Sequence, residues 1–383
     1  MTSDVWRYSD LLTQPSNYAR DQDRLCSLDL FRGVVMFFLI AEATGLYDLL
    51  TDAGTRGAAF LAVGRQFQHH PWHGIRLWDF GQPFFMFISG VAMYFSYNRR
   101  WEKGERWVIT FIHALRRSIL LFSLGWAIYR IVPVEDNPHG AFLYDMLPQL
   151  AFASLVAFLM MRRSVSQQLM LAFGLIVITE LLYRLWAMPG FDQPFVPGHN
   201  FGSYIDRLIM GGLSGGHWVA FNIVPSTAFV IWGVLAGRLL RRPGQQAHKI
   251  RTMLAVGLGG VALGLALSSF TPIIRRICTN SFVIMSGGFC LLALALAYWL
   301  MDVLKIRIGA TFFVAVGMNP LFIYLFAQTG GADWLRQIAA PFSSGLFGWA
   351  GEWPAEFAAA LATMGLMWGL CYWLYRRRIF IKI

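Results

Sequence analysis

Gln68-His69-His70-Pro71-Trp72-His73-Gly74, followed by Asp79 and the apolar run Pro83-Phe84-Phe85-Met86-Phe87-Ile88-Ser89-Gly90, decides how this chain reads. Three imidazoles and a carboxylate stand at the mouth of a membrane-length segment. Ionisable groups are expensive at that depth, so their presence points to a function. Pro71 suits the first turn of a helix, where its missing N–H costs nothing. The spacing therefore predicts His69 and His70 at or just before a helix N-terminus. The positive end of the helix dipole disfavours imidazolium, and a neutral imidazole is what a general base requires. Asp79 and the intramembrane Glu42 are the candidates to orient that ring.

The rest of the chain supports a membrane setting. Of 383 residues, 56% are hydrophobic and only 14% charged, against about 25% charged in a soluble domain; the mean hydropathy is +0.50. The expected fold class is all-α, a polytopic membrane helix bundle. Ten apolar segments of bilayer-spanning length lie at 29–50, 78–97, 108–132, 144–162, 167–187, 217–240, 250–270, 279–303, 308–328 and 355–376. The polar residues 1–27 have no apolar signal-peptide core, so the first hydrophobic segment is expected to remain as an uncleaved anchor. Residues 28–383 then form a single transmembrane domain.

The net charge of +11 does not indicate nucleic acid, because the basic residues cluster in short connections between apolar spans. Alternating the connections puts 20 basic residues on one side and nine on the other. That bias predicts both termini on the cytoplasmic side. The long connections 51–77, 188–216 and 329–354 then face outward, and loops of that length usually carry function or cover a site. Cys26, Cys278, Cys290 and Cys371 are scattered without a CxxC pair and imply no disulfide framework.

Other polar residues supply further candidates. His69 and His73 are four apart, a spacing compatible with zinc, but Pro71 lies between them and no acidic residue fills the gap as in HExxH; no metal is expected. Asp29 and Arg32 open the first apolar segment three apart and can pair. Arg24, Arg32, Arg116 and Arg117 can gather at the cytoplasmic edge, where they would suit an anion with several phosphates; snorkelling arginines are the bland alternative. Asn319 precedes Pro320, so an unwound turn can line a cavity there. Glu180 precedes Arg184 by four, as a local ion pair would.

Several stretches, in order over nearly the whole chain, resemble the heparan-alpha-glucosaminide N-acetyltransferase family of transmembrane acyltransferases. They are Ser27-Leu28-Asp29-Leu30-Phe31-Arg32-Gly33, Gln68-His69 with Trp72-x-Gly74, and Asp79 with Pro83-x-Phe85-x-Phe87-Ile88-x-Gly90. Tyr204-Ile205-Asp206-Arg207-Leu208, Gly233-Val234-x-Ala236-Gly237, Gly317-Met318-Asn319 and the terminal Leu374-Tyr375-Arg376 with Ile379-Phe380 follow. The chain is most similar to bacterial members found with amino-sugar utilisation.

The resemblance implies transfer of an acetyl group from cytosolic acetyl-CoA to a glucosamine-type amine across the bacterial inner membrane, by a homodimer. It singles out His69, three residues before Trp-x-Gly, as the catalytic histidine and Glu42 as its partner, where the human-type enzyme has Asn. Arg24, Arg32, Arg116, Arg117 and Asn319 become the expected acetyl-CoA residues, and Trp72, His73 and Asp206 the expected acceptor residues. Pro148-Gln149 stands where many relatives carry Gln-Arg. An amino-sugar transporter and an O-acetyltransferase of an envelope polysaccharide are the rival readings.

Overall fold

The computed structural model describes residues 25–51, 57–132 and 141–381. Within them the chain is helical and forms no strand. The principal helices are α1 (Cys26–Ala43), α2 (Ala58–Arg65), α3 (Gly81–Glu102), α4 (Trp107–Ile131), α5 (Met146–Met160), α6 (Val165–Leu185) and α7 (Phe201–Met210), then α8 (Ile223–Arg241), α9 (Gln246–Leu267), α10 (Asn280–Tyr298), α11 (Ala310–Gly317), α12 (Pro320–Gln328), α13 (Gly331–Phe347) and α14 (Glu352–Arg376).

Each of the ten apolar segments coincides with a helix, but they are not equally suited to cross a bilayer. Among the described residues α4, α6, α8, α9, α10 and α14 are long and apolar enough, and the bent pair α11–α12 makes a seventh if counted as one span. The other three are α1, α3 and α5. Helix α1 carries Asp29, Arg32 and Glu42. Helix α3 ends in Asn98-Arg99-Arg100-Trp101-Glu102. Helix α5 has 15 residues, a rise of about 22 Å against a hydrocarbon thickness of about 30 Å. The architecture is that of a multi-pass helical membrane protein.

The long connections are not plain loops. Residues 51–77 contain α2, 188–216 contain α7, and most of 329–354 is α13. Exposed Trp334, Ile338, Phe342 and Leu346 recur every four residues along α13, an apolar stripe that alternation of apolar and polar segments does not disclose.

Lipid tails are as apolar as leucine, so helices in a bilayer gain little from apolar burial alone and associate where small residues let backbones approach. Helices α3 and α8 cross this way. A Cβ on Gly90 would lie 2.2 Å from the Val230 carbonyl oxygen, and one on Gly233 2.1 Å from that of Phe87. Helices α1 and α11 meet at Gly33 and Gly317 by the same device. Helix α8 is the most enclosed of the spans, with two-thirds (67%) of its apolar window buried, while α9 shows most of its surface outward with 17% buried.

Between α11 and α12 the chain turns by 70° at Asn319, with Pro320 starting the new helix. The Asn319 amide is fully buried. It donates to the Ile379 carbonyl (2.9 Å) and accepts from the Ile381 N–H (2.9 Å). The break therefore anchors the C-terminal segment. The expected local pairs also form: Arg184 Nε donates to Glu180 at 2.6 Å, and Arg32 lies 4.0 Å from Asp29.

Candidate active site

Pro71 does not open a helix. Residues 69–76 are irregular, and helical geometry starts with the 3-10 turn Leu77–Phe80. Two features displace the start. Gly74 adopts φ +138°, outside helical space, and its N–H bonds the Ile273 carbonyl at 2.8 Å. The Asp79 carboxylate accepts the Arg76 N–H at 2.8 Å, satisfying a donor at the true helix start.

Asp79 is 1% exposed and collects three donors. Besides Arg76 it accepts the His70 N–H (3.3 Å), and its other oxygen lies 3.1 Å from His69 Nδ1. An ionised carboxylate only accepts, so it selects the His69 tautomer protonated at Nδ1. Nε2 is then the basic nitrogen. It faces Glu42, whose Oε1 lies 3.8 Å away and accepts the Trp78 indole N–H at 2.6 Å. The His69 ring stacks on Trp78 (centroids 6.3 Å apart, 15°) and meets Trp218 edge-on at 5.7 Å. The site remains open on one side, since the Glu42 side chain is 44% exposed and that of His69 28%.

His69 is held neutral, but not by a helix dipole. Burial is the main cause, followed by the charge of Arg275; together they outweigh the attraction of Asp79 and push its pKa down to about 4. Arg275 lies 4.0 Å from Asp79 and 4.4 Å over the Trp218 ring. Its Nε and Nη1 are buried without hydrogen-bond partners among the described residues. Arg276 covers the same indole at 5.4 Å and donates to the Gly216 carbonyl.

Three connections thus converge on the end of α1: residues 66–76, 211–219 and 271–279. Sequence reasoning missed Trp78, Trp218, Arg275 and Arg276. A signal for the two arginines was present, because adjacent arginines in a short connection stand out on the side otherwise poor in basic residues. Trp218 had none.

The expected acceptor residues spread out. Trp72 donates its indole N–H to the Phe195 carbonyl at 2.7 Å, and His73 Nε2 lies 3.4 Å from the same oxygen. Both pin the histidine segment to the connection before α7. Asp206 is buried and accepts the Ala220 N–H at 3.0 Å. Burial pushes its pKa up to about 7, against that hydrogen bond and one from Tyr144. It steadies the far end of the connection that carries Trp218.

The arginines form a separate cavity of about 510 Å³. Arg32, Arg100, His113, Arg116 and Arg117 line one end, and Phe85, Leu147, Leu150 and Tyr324 the other; no acidic residue lines it. No acidic side chain pairs with Arg116 or Arg117 among the described residues. At the inner end the Tyr324 hydroxyl donates to buried Asp145 at 2.5 Å. A neighbouring basic cavity shares Arg32, Ala92, Ser96 and Arg100 with it. Asn319 lies behind this cavity, its amide committed to the C-terminal segment that brings Ile381 to the wall. Arg24 lies outside the described residues.

The two regions share their supports. Glu42 and Arg32 are on one helix, ten positions apart, an axial separation of about 15 Å. Asp79 precedes α3 directly, and α3 lines the cavity from Phe85 to Arg100. The Glu42–His69–Asp79 cluster at one end and the arginine-lined chamber at the other are thus linked through α1 and α3. Compared with known proteins, the chain matches no family model and no curated protein.

Proposed function

We propose that this chain is a membrane acetyltransferase that moves an acetyl group from acetyl-CoA to the amine of a glucosamine-type sugar. The observation that carries the reading is the Asp79–His69 pair, with its basic nitrogen turned toward Glu42 and an arginine chamber, no acidic residue in its lining, about 15 Å away along α1. Such a pairing suits two substrates that enter from opposite ends, one of them polyanionic.

In this reading the chain crosses the bacterial inner membrane ten times with both termini cytoplasmic, and α1, α3 and α5 are shielded by the outer helices. Arg32, Arg116 and Arg117 hold the phosphates of acetyl-CoA, and the apolar end of the chamber takes the pantetheine arm. The acceptor amine lies between Glu42 and His69. Its nitrogen attacks the thioester carbonyl while His69 Nε2 removes its proton. The C–S bond then breaks, and His69 returns that proton to the departing thiolate. Asp79 keeps Nδ1 protonated throughout and stabilises the imidazolium. The unpartnered donors of Arg275 suit the negative charge that develops on the carbonyl oxygen.

The test uses purified protein in detergent with labelled acetyl-CoA and a panel of glucosamine, chitosan oligomers and hydroxyl acceptors. N-acetyl product that disappears in His69→Ala, with CoA binding retained, supports the assignment. Wild-type transfer by His69→Ala, or sugar uptake into liposomes without acetyl-CoA, overturns it.

A further inference from the structure

A second groove of about 460 Å³ opens between α6, α8, α9 and α10, lined by residues distinct from those of the arginine chamber. Its walls are apolar, with Phe173, Trp232, Val256 and Leu291 among them. Its floor is glycine. A Cβ on Gly260 would lie 3.1 Å from Gly288 Cα, so α9 and α10 pack closely there, and with no side chain raised above that seam the groove runs over it. Gly259, by contrast, borders open space.

Arg238 and Arg242 are the charged residues that line the groove, and both are at its α8 C-terminal end. Arg238 reaches the Arg163 carbonyl at 3.2 Å; no acidic side chain pairs with either arginine among the described residues.

The dimensions match one membrane leaflet. From Trp232 to Arg241, just before Arg242, is nine positions of α8, and from Thr252 to Leu263 eleven positions of α9, or about 15 Å of rise. Half of the hydrocarbon thickness is also about 15 Å. A helix of a second copy would fill the apolar length but leave two guanidinium groups unmatched at one end. A molecule with an acyl chain and a net negative headgroup satisfies both parts.

We propose that this groove binds one anionic phospholipid, its acyl chain along the glycine floor and its phosphate on Arg238 and Arg242. The inference rests on residence in a bilayer and is independent of acetyl transfer.

Native mass spectrometry of the full chain in detergent, titrated with phosphatidylglycerol or phosphatidylcholine, tests it. One phosphatidylglycerol is expected to bind at least about tenfold tighter than phosphatidylcholine. Arg238→Gln with Arg242→Gln should weaken phosphatidylglycerol about thirtyfold and phosphatidylcholine, whose choline offsets its own phosphate, by much less, so that the preference between the two lipids is lost. Gly259→Leu, whose Cβ meets nothing within 4 Å and whose side chain would enter the groove, should abolish retention of both. Equal affinity for the two lipids, or retention unaltered by the double arginine variant, overturns the proposal. So does a dimer that Gly259→Leu converts to monomer without changing lipid retention, since the groove is then a subunit interface.

Discussion

Asp79→Asn is the substitution that most directly interrogates the proposed chemistry. The amide keeps the size of the carboxylate and one acceptor oxygen. Asp79 now serves two backbone donors, His70 and Arg76, through one oxygen and His69 Nδ1 through the other. An asparagine that keeps its oxygen on the backbone donors must turn its NH₂ toward Nδ1. Nδ1 then has to accept, the ring carries its proton on Nε2, and the base is disabled while the geometry survives. Loss of such a base corresponds to about 10²–10⁴ in rate, and a wrong tautomer in a Ser-His-Asp triad costs about 10⁴. The expectation is a fall in kcat of at least about 10³ with little change in KM for acetyl-CoA, whose phosphates are held elsewhere. Steady-state acetylation of glucosamine, with thermal unfolding as a folding control, reads this out. A folded Asp79→Asn enzyme within about tenfold of wild type refutes the tautomer argument.

Other expectations follow from the same geometry. Arg116→Gln with Arg117→Gln should weaken CoA binding by at least about tenfold, measured calorimetrically, and leave kcat at saturation nearly unchanged. His69 has a value near 4 in the fold against 6.5 in a model peptide, so the unfolded chain takes up its proton first. Its contribution is therefore complete above pH 6.5 and is lost as the pH falls from 6.5 to about 4, by up to about 3 kcal/mol. Unfolding followed against pH in wild type and His69→Gln should differ in that window, and the acid limb of activity should lie near pH 4. Gly233→Ala places a methyl 2.1 Å from the Phe87 carbonyl oxygen and should cost at least about 2 kcal/mol; Gly174→Ala, which meets nothing, should be neutral or slightly stabilising in the same thermal assay. Asn319→Ala removes the two hydrogen bonds that hold Ile379 and Ile381 and should speed proteolysis at the C-terminus.

Much of the site was legible one residue at a time. His69, Asp79 and Glu42 stood out because charge is costly beside apolar runs, and the structure brings all three together. Their division of labour was not legible. The carboxylate ten residues along orients the ring, while the one on α1 faces the opposite nitrogen. The reason for a neutral His69 also changed, from a helix dipole to burial and Arg275, because Pro71 opens no helix. Asn319 was expected to line a ligand cavity. Its unwound turn exists, but the freed groups capture the C-terminal segment.

By itself the sequence determined the membrane-helical class, the number and place of apolar segments and the candidate histidine. These depend on local composition and on the length a helix needs to cross a bilayer. Only the tertiary structure decided which segments are inner and outer, and that α1 and α3 link the His69 cluster to the arginine chamber. Trp218, Arg275 and Arg276 enter the site through connections far apart in the chain. Their approach to His69 depends on bonds to backbone carbonyls, from the Gly74 N–H to Ile273 and from the Arg276 guanidinium to Gly216. The acceptors are peptide groups present at every position, so no side-chain pattern announces where they will be used.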